Sequence, residues 1–314
     1  MAPRSTPRWL VYLGLTTVIF LWGFNTVALK ASFRDWDPLG FSALRFLMMA
    51  PLAVGIAAAR GASLRVERRD LPLLLAAAAC GSGVYQYFYI LGLAHTTAFA
   101  SALLSSLAPI FTLVLAVALG HERSRSGRWI GALIAILGVA VFEGAFSGRA
   151  AIGLGDLLTL AGAAIFAGYN VLAGRLLGRY SPASLIAITL TLGAAMIVPG
   201  GLWNLAHQDF SRISSTDWAL LAYSTVFPMV LGYQLWSWGI AKIGAGPASL
   251  FNFAVPIVAG LAAMIFLHTR LTAYEIVGAA VCIGGLAASQ ILARFSLTTP
   301  LANLWALITV PAER

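Results

Sequence analysis

Long apolar stretches alternate with short polar breaks along almost the whole chain. Ten stretches stand out, at about 9–29, 38–59, 71–93, 97–120, 128–146, 152–172, 184–202, 218–240, 247–267 and 272–292. A helix needs about 20 such residues to cross a bilayer core. The length of the stretches and their Ala, Leu and Gly content predict helices, not the short alternating strands of a barrel. The expected fold class is an all-α integral membrane protein with ten transmembrane helices.

The pattern is also doubled. A shift of 147 carries Gly92 onto Gly239, Pro109 onto Pro256 and Ile110 onto Ile257. The same shift carries His121 onto His268, Arg123 onto Arg270, Gly131 onto Gly278 and Gly138 onto Gly285. A shift of 145 lays Gly23-Phe24-Asn25 on Gly168-Tyr169-Asn170. Five spans per half is an odd number, so the second half enters the membrane upside down. The expected organisation is a first five-helix repeat at 1–146, an inverted repeat at 152–293 and a tail at 296–314. In the tail Leu301, Leu304, Trp305 and Ile308 fall at helical spacing, which suits an interfacial helix, though a disordered tail fits as well. Doubled membrane chains of this kind are secondary transporters whose solute site lies between the halves.

Composition sharpens this. The chain has 314 residues, 60% of them hydrophobic and 10% charged, too apolar for a water-soluble interior to hide. Membrane lipid is therefore an expected partner. The net charge of +9 comes mostly from arginines in the polar breaks; Lys30 and Lys242 are the only lysines. That distribution is a topology signal and not a nucleic-acid surface. Arg4, Arg8, Arg60, Arg65, Arg68, Arg69, Arg123, Arg125, Arg128, Arg175, Arg179, Lys242, Arg294 and Arg314 fall on one side. Lys30, Arg34, Arg149, Arg212 and Arg270 fall on the other. The excess places both termini in the cytoplasm. Monomer and homodimer both remain open.

Enzyme motifs are missing. Neither lysine follows a phosphate-cradling loop, and Cys80 and Cys282 have no metal or disulfide spacing. No enzyme activity, catalytic residue, cofactor or metal is expected. None of the acidic residues falls mid-span. Glu143, Asp156, Asp217 and Glu275 lie near helix ends and the others in loops or termini. A buried acid that exchanges protons for cations is thus absent, which disfavours proton-coupled export of cationic drugs.

Arg45 is the one charge well inside a span. It has two readings: a contact for a solute carboxylate, or a structural partner that binds helix-end carbonyls or snorkels. Uncharged polar and aromatic residues are the principal site candidates, because an unpaired amide in lipid costs several kcal/mol. They are Trp22 and Asn25, Tyr85, Gln86 and Tyr89, His95, Phe99, Ser105, Tyr169 and Asn170, Tyr233 and Trp236, and Asn252. Interhelical hydrogen bonding is the competing role for the polar ones, and an interface belt for the rings. Gly92, Pro109, Gly239 and Pro256 are expected to act as hinges or packing points. Gly131, Gly138, Gly278 and Gly285 are expected to let the fifth and tenth spans approach closely.

Several of these residues together resemble a known family. They are Trp22-Gly23-Phe24-Asn25, Arg45-Phe46, the run from Tyr89 through Gly92 to Thr97, and Pro109 through Gly120-His121-Glu122-Arg123 to Gly131 and Gly138. They resemble the EamA-type members of the drug/metabolite transporter superfamily, and most of all the YddG-type exporters of aromatic and other neutral amino acids. The second half departs from the pattern where Thr269 stands in the place of Glu122. The resemblance implies a secondary exporter of the cell inner membrane, with ten helices around a central cavity, whose partner is a small solute such as an amino acid. Another small metabolite or a cationic drug is the alternative cargo.

Overall fold

The computed structural model describes residues 7–120, 126–144, 152–243, 248 and 251–292. Among them there are helices and no strands. Glu122, its neighbours His121 and Arg123, and the tail at 296–314 lie outside the described residues.

Among the described residues, six helical segments are long and apolar enough to cross a membrane: Arg8–Ser32, Pro38–Ala59, Arg68–His95, Ala98–Ala118, Leu154–Leu176 and Pro182–Ala206. Shorter apolar helices occupy Ser126–Phe142, Val255–Phe266 and Ala273–Ser289. In chain order the helices are α1 (Arg8–Ser32), α2 (Pro38–Ala59), α3 (Leu71–Gly81), α4 (Val84–His95), α5 (Ala98–Ser105), α6 (Ala108–Ala118) and α7 (Ser126–Phe142). Then come α8 (Leu154–Leu176), α9 (Pro182–Ala206), α10 (Ser215–Ser224), α11 (Tyr233–Ile243), α12 (Val255–Phe266) and α13 (Ala273–Leu292). A π-helical stretch, Thr225–Gly232, joins α10 to α11.

Local chemistry sets many boundaries. Asp37 caps α2 by accepting from Leu39 N and Gly40 N, both at 2.9 Å, with Pro38 opening the helix. Ser181 and Pro182 start α9 in the same manner. Thr97 accepts from Ala100 N at 3.0 Å to start α5.

Four of the spans expected from sequence are interrupted. The third breaks at Ser82-Gly83, between α3 and α4, and the fourth at Ser106-Leu107, between α5 and α6. The eighth widens into the π-helical stretch, and the ninth breaks at Phe253-Ala254, just before α12. The 147 shift carries 106–107 onto 253–254 and 82–83 onto 229–230. Proline explains two of these sites. Pro109 has no N–H for the carbonyl of Ser105, and Pro256 has none for that of Asn252. Pro228 withholds the same bond inside the π-helical stretch.

The chain forms two compact units. The larger is drawn from Met1–Leu115 and Ala151–Leu271. In it Phe46, Met49, Ala53 and Ala57 of α2 pack on Ile186, Ala187, Leu190, Ala194 and Ile197 of α9. Leu74 and Ala77 of α3 meet Ala173 and Leu176 of α8. A third cluster joins Val27 and Leu29 of α1 to Ile90 and Leu93 of α4 and to Ala262 and Ala263 of α12. Lipid is as apolar as these side chains, so shape fit and small residues, not release from water, hold such contacts.

The smaller unit, from Ala116–Ala150 and Thr272–Arg314, is built on α7 and α13. A Cβ on Gly131 would run into the backbone of Ser289, and one on Gly138 into that of Cys282. Gly278 and Gly285 meet the backbones of Phe142 and Ala135 just as closely. The four glycines thus let the two helices touch backbone to backbone, the approach their spacing predicts. On the other sides Leu133, Leu137, Ile276 and Val277 stand exposed, an apolar surface suited to lipid.

Candidate functional site

The candidate rings converge within the larger unit. On α1, Trp22 lies against Tyr233 with centroids 5.5 Å apart and against Trp236 at 5.2 Å. Its indole Nε1 donates to Pro228 O at 2.9 Å. Gly232 makes room for it, since a Cβ there would lie 2.9 Å from Nε1.

On α4, Tyr85 and Tyr89 stack at 5.8 Å, as their i, i+4 spacing predicts. Tyr85 also meets Phe166 of α8 at 4.9 Å, and Phe166 meets Tyr169 at 5.5 Å. Gly81 at the end of α3 leaves space for the Tyr169 ring. The Tyr89 hydroxyl and Thr26 Oγ1 of α1 are 3.3 Å apart. Phe166 and Thr26 are therefore members of the aromatic group that the sequence reading did not single out as site residues.

Arg45 of α2 completes the group. It is 1% exposed, and Tyr85, Tyr89 and Tyr233 are near enough to interact with its charge. Its Cζ lies 5.9 Å from the centre of the Phe46 ring. Its Nε and Nη1 have no hydrogen-bond partner. Neither structural role foreseen for it applies to those two atoms: no carbonyl accepts from them, and the side chain does not snorkel. Asn25 Oδ1 and Gln86 Nε2 are likewise buried and unpartnered, each one turn from a ring of the group.

The remaining candidates are dispersed. Asn170 is exposed and donates from Nδ2 to Thr112 Oγ1 at 3.1 Å. Phe99 is buried, with its ring against Gly260. Ser105 and Asn252 are half-buried, each in the last turn before its break. His95 is exposed at the end of α4, where its backbone presses on Gly155, away from the rings. Pro109 and Pro256 each lie in the first turn after a break. Gly92 and Gly239 are packing points. A Cβ on Gly92 would strike Thr159 and Gly155 of α8, and one on Gly239 would strike Leu15 of α1.

Polar ties brace the ends of this unit. Lys30 Nζ donates to Leu93 O and Ala94 O, both at 2.9 Å, and so satisfies carbonyls at the end of α4. A cavity of about 460 Å³ opens beside it, lined by Lys30, Arg34, Thr96, Thr97, Leu267 and Thr269 among others. Thr96 bonds the Asp156 carboxylate, which also accepts from Gly153 N at 2.9 Å. Asp70, before α3, is held by Arg179 and by the Tyr180 hydroxyl at 3.1 Å. Arg60 Nη1 donates to Gln234 Oε1 at 2.6 Å. Among the described residues the buried acids are Asp70, Asp156 and Asp217, which sit at helix starts and are bonded there. None faces the rings.

Interrupted apolar helices in a doubled pattern, around a buried polar-aromatic cluster, are an architecture that membrane transporters use. Comparison with known proteins agrees. The model of the EamA-like transporter family matches twice, over residues 9–143 and 153–289. The chain belongs to that family. It is 30% identical to an uncharacterized transporter of Archaeoglobus fulgidus over 284 residues, 89% of this chain and 97% of the relative. It is 26% identical over 271 residues to a protein of Streptantibioticus cattleyicolor named a probable terminal-alkyne amino-acid exporter, covering 86% and 90%. It is 24% identical over 282 residues to a probable amino-acid metabolite efflux pump of Escherichia coli, covering 86% and 91%. In fold it matches a crystal structure with a TM-score of 0.67 at 23% identity, over 90% of this chain and 97% of that one.

Proposed function

We propose that this protein exports aromatic and other neutral amino acids across the cytoplasmic membrane by alternating access. Ten spans, as two inverted five-helix repeats, enclose the pathway, and both termini face the cytoplasm. The candidate residues Trp22, Asn25, Tyr85, Gln86, Tyr89, Tyr169, Tyr233 and Trp236 line the solute site. Two relatives carry names that include amino-acid export or efflux.

The observation that carries this reading is the ring group of α1, α4, α8 and α11, with unpartnered amides one turn away. Rings hold an apolar side chain by stacking, and amides suit the polar head of a zwitterion. The paired helix breaks support the mechanism. Breaks at equivalent places in two repeats would let each repeat adopt the other's bend, which opens the site to either side in turn.

Proteoliposomes containing the purified protein test this with a panel of radiolabelled amino acids, with and without a pH gradient. Flux of phenylalanine, tryptophan or leucine is expected. Flux of a quaternary cation with none for any amino acid would assign the carrier to cationic drugs instead. Labelling of engineered cysteines from each side tests the inverted arrangement, which fails if both halves enter the membrane the same way up.

A further inference from the structure

Arg45 presents a charge problem that its own fold leaves unsolved. It lies within α2 and is 1% exposed. Two of its guanidinium nitrogens, Nε and Nη1, donate to nothing. Its close electrostatic neighbours are the phenols of Tyr85, Tyr89 and Tyr233. No carboxylate pairs with it among the described residues; Asp70, Asp156 and Asp217 are bonded at helix starts elsewhere.

A buried cation without a counter-ion is among the most costly arrangements in a protein, and more so within a membrane. Such a group persists where something outside the fold completes it. A guanidinium with unsatisfied N–H donors and no counter-ion calls for an oxyanion, and arginine is the side chain suited to a planar one. The rings of Tyr85, Tyr89 and Tyr233 stand near it and offer apolar faces for the body that bears that anion.

We propose that Arg45 is the recognition residue for a carboxylate on the transported solute, which it grips through its unsatisfied guanidinium N–H groups. The proposal rests on the amino-acid reading for which solute bears the carboxylate, but not for the anion itself. It also orients the solute: carboxylate towards α2, side chain between the rings of α1, α4 and α11. A solute without the carboxylate leaves the guanidinium buried and unpaired, so discrimination against amides and amines is built into the site.

The test is a binding comparison on the full-length protein in detergent, read by calorimetry. Four probes share one aromatic body: phenylalanine, 3-phenylpropionate, phenylalaninamide and phenethylamine. Phenylalanine and phenylpropionate are expected to bind at least about tenfold tighter than the amide and the amine. R45Q is expected to erase that preference. R45K, which keeps the charge but not the fork, is expected to keep the preference with roughly tenfold weaker affinity for both carboxylates. It serves as the decisive variant if R45Q does not fold.

Equal affinity for phenylalanine and its amide in the wild type would overturn the role of Arg45 and leave amino-acid export standing. So would an R45K protein with unchanged affinity and preference. Binding of phenylpropionate without any amino acid would do the reverse: Arg45 keeps its role and the amino-acid reading falls. Binding of the amine alone, or of none of the four, overturns both.

Discussion

The indole Nε1 of Trp22 donates to the backbone carbonyl of Pro228 at 2.9 Å. The acceptor lies in the π-helical stretch, where a proline already interrupts the ladder. One side chain of α1 is thereby tied to an irregular turn that precedes α11, and the same ring leans on Tyr233 and Trp236. Trp22→Phe keeps a ring but loses the bond, which should cost about 1 kcal/mol. Gly232→Ala should displace the indole, because the new Cβ would sit 2.9 Å from Nε1. Both variants are expected to unfold earlier in a detergent thermal scan and to carry solute more slowly. Wild-type flux and stability in both would show the bond to be idle.

Alanine at Tyr85, Tyr89 or Trp236 removes ring surface from the proposed solute wall. A buried ring contact contributes about 1.5–3 kcal/mol, or roughly ten- to hundredfold in affinity. Flux in proteoliposomes should fall by that order, while the amount of folded protein in the membrane changes far less. Loss of both in proportion would make these rings structural.

Gly138→Leu or Gly285→Leu in the smaller unit should separate α7 from α13. Each introduces a side chain where backbone of the other helix already stands. A destabilisation of about 1–3 kcal/mol is expected, visible as a lower midpoint in detergent. Gly174→Ala in α8 is the matched control, since nothing lies within 4 Å of its added Cβ. It should be neutral or stabilise by about 0.5–1 kcal/mol.

Arg179 and Arg69 each pair with an acid, but in different surroundings. Asp70, the partner of Arg179, is 2% exposed, whereas the Arg69–Glu67 pair is open to solvent on both sides. Arg179→Ala should therefore cost about 1–3 kcal/mol by leaving a buried carboxylate short of a partner. Arg69→Ala should cost under about 1 kcal/mol. Thermal midpoints of the two variants in matched detergent check the contrast, and equal shifts would count against it.

Much of this was legible in the chain. Gly131, Gly138, Gly278 and Gly285 foretold a close helix pair, because a seven-residue spacing keeps them on one stripe. Tyr85 and Tyr89 were placed on one face by the same periodicity. Other features were not legible. Pro109 and Pro256 pointed to kinks, but helix ends at 106–107 and 253–254 are full breaks, and Ser82-Gly83 has no proline to announce it. His95 looked close to the rings in the linear order, yet it sits exposed at the end of its helix. A helix end is set by what packs around it as well as by its own residues.

The sequence by itself determined the solvent, the helical class and the doubling. Bilayer thickness dictates how long an apolar run must be, backbone polarity dictates that it be helical, and a repeat is visible to inspection. Only the tertiary structure decided that Trp22 of α1 meets Tyr233 and Trp236 of α11, that Tyr85 of α4 meets Phe166 of α8, and that Arg45 of α2 lies near three of the phenols. Periodicity names the face a residue occupies on its own helix, but the rotation of that helix against its neighbours is set by contacts between residues far apart in the chain.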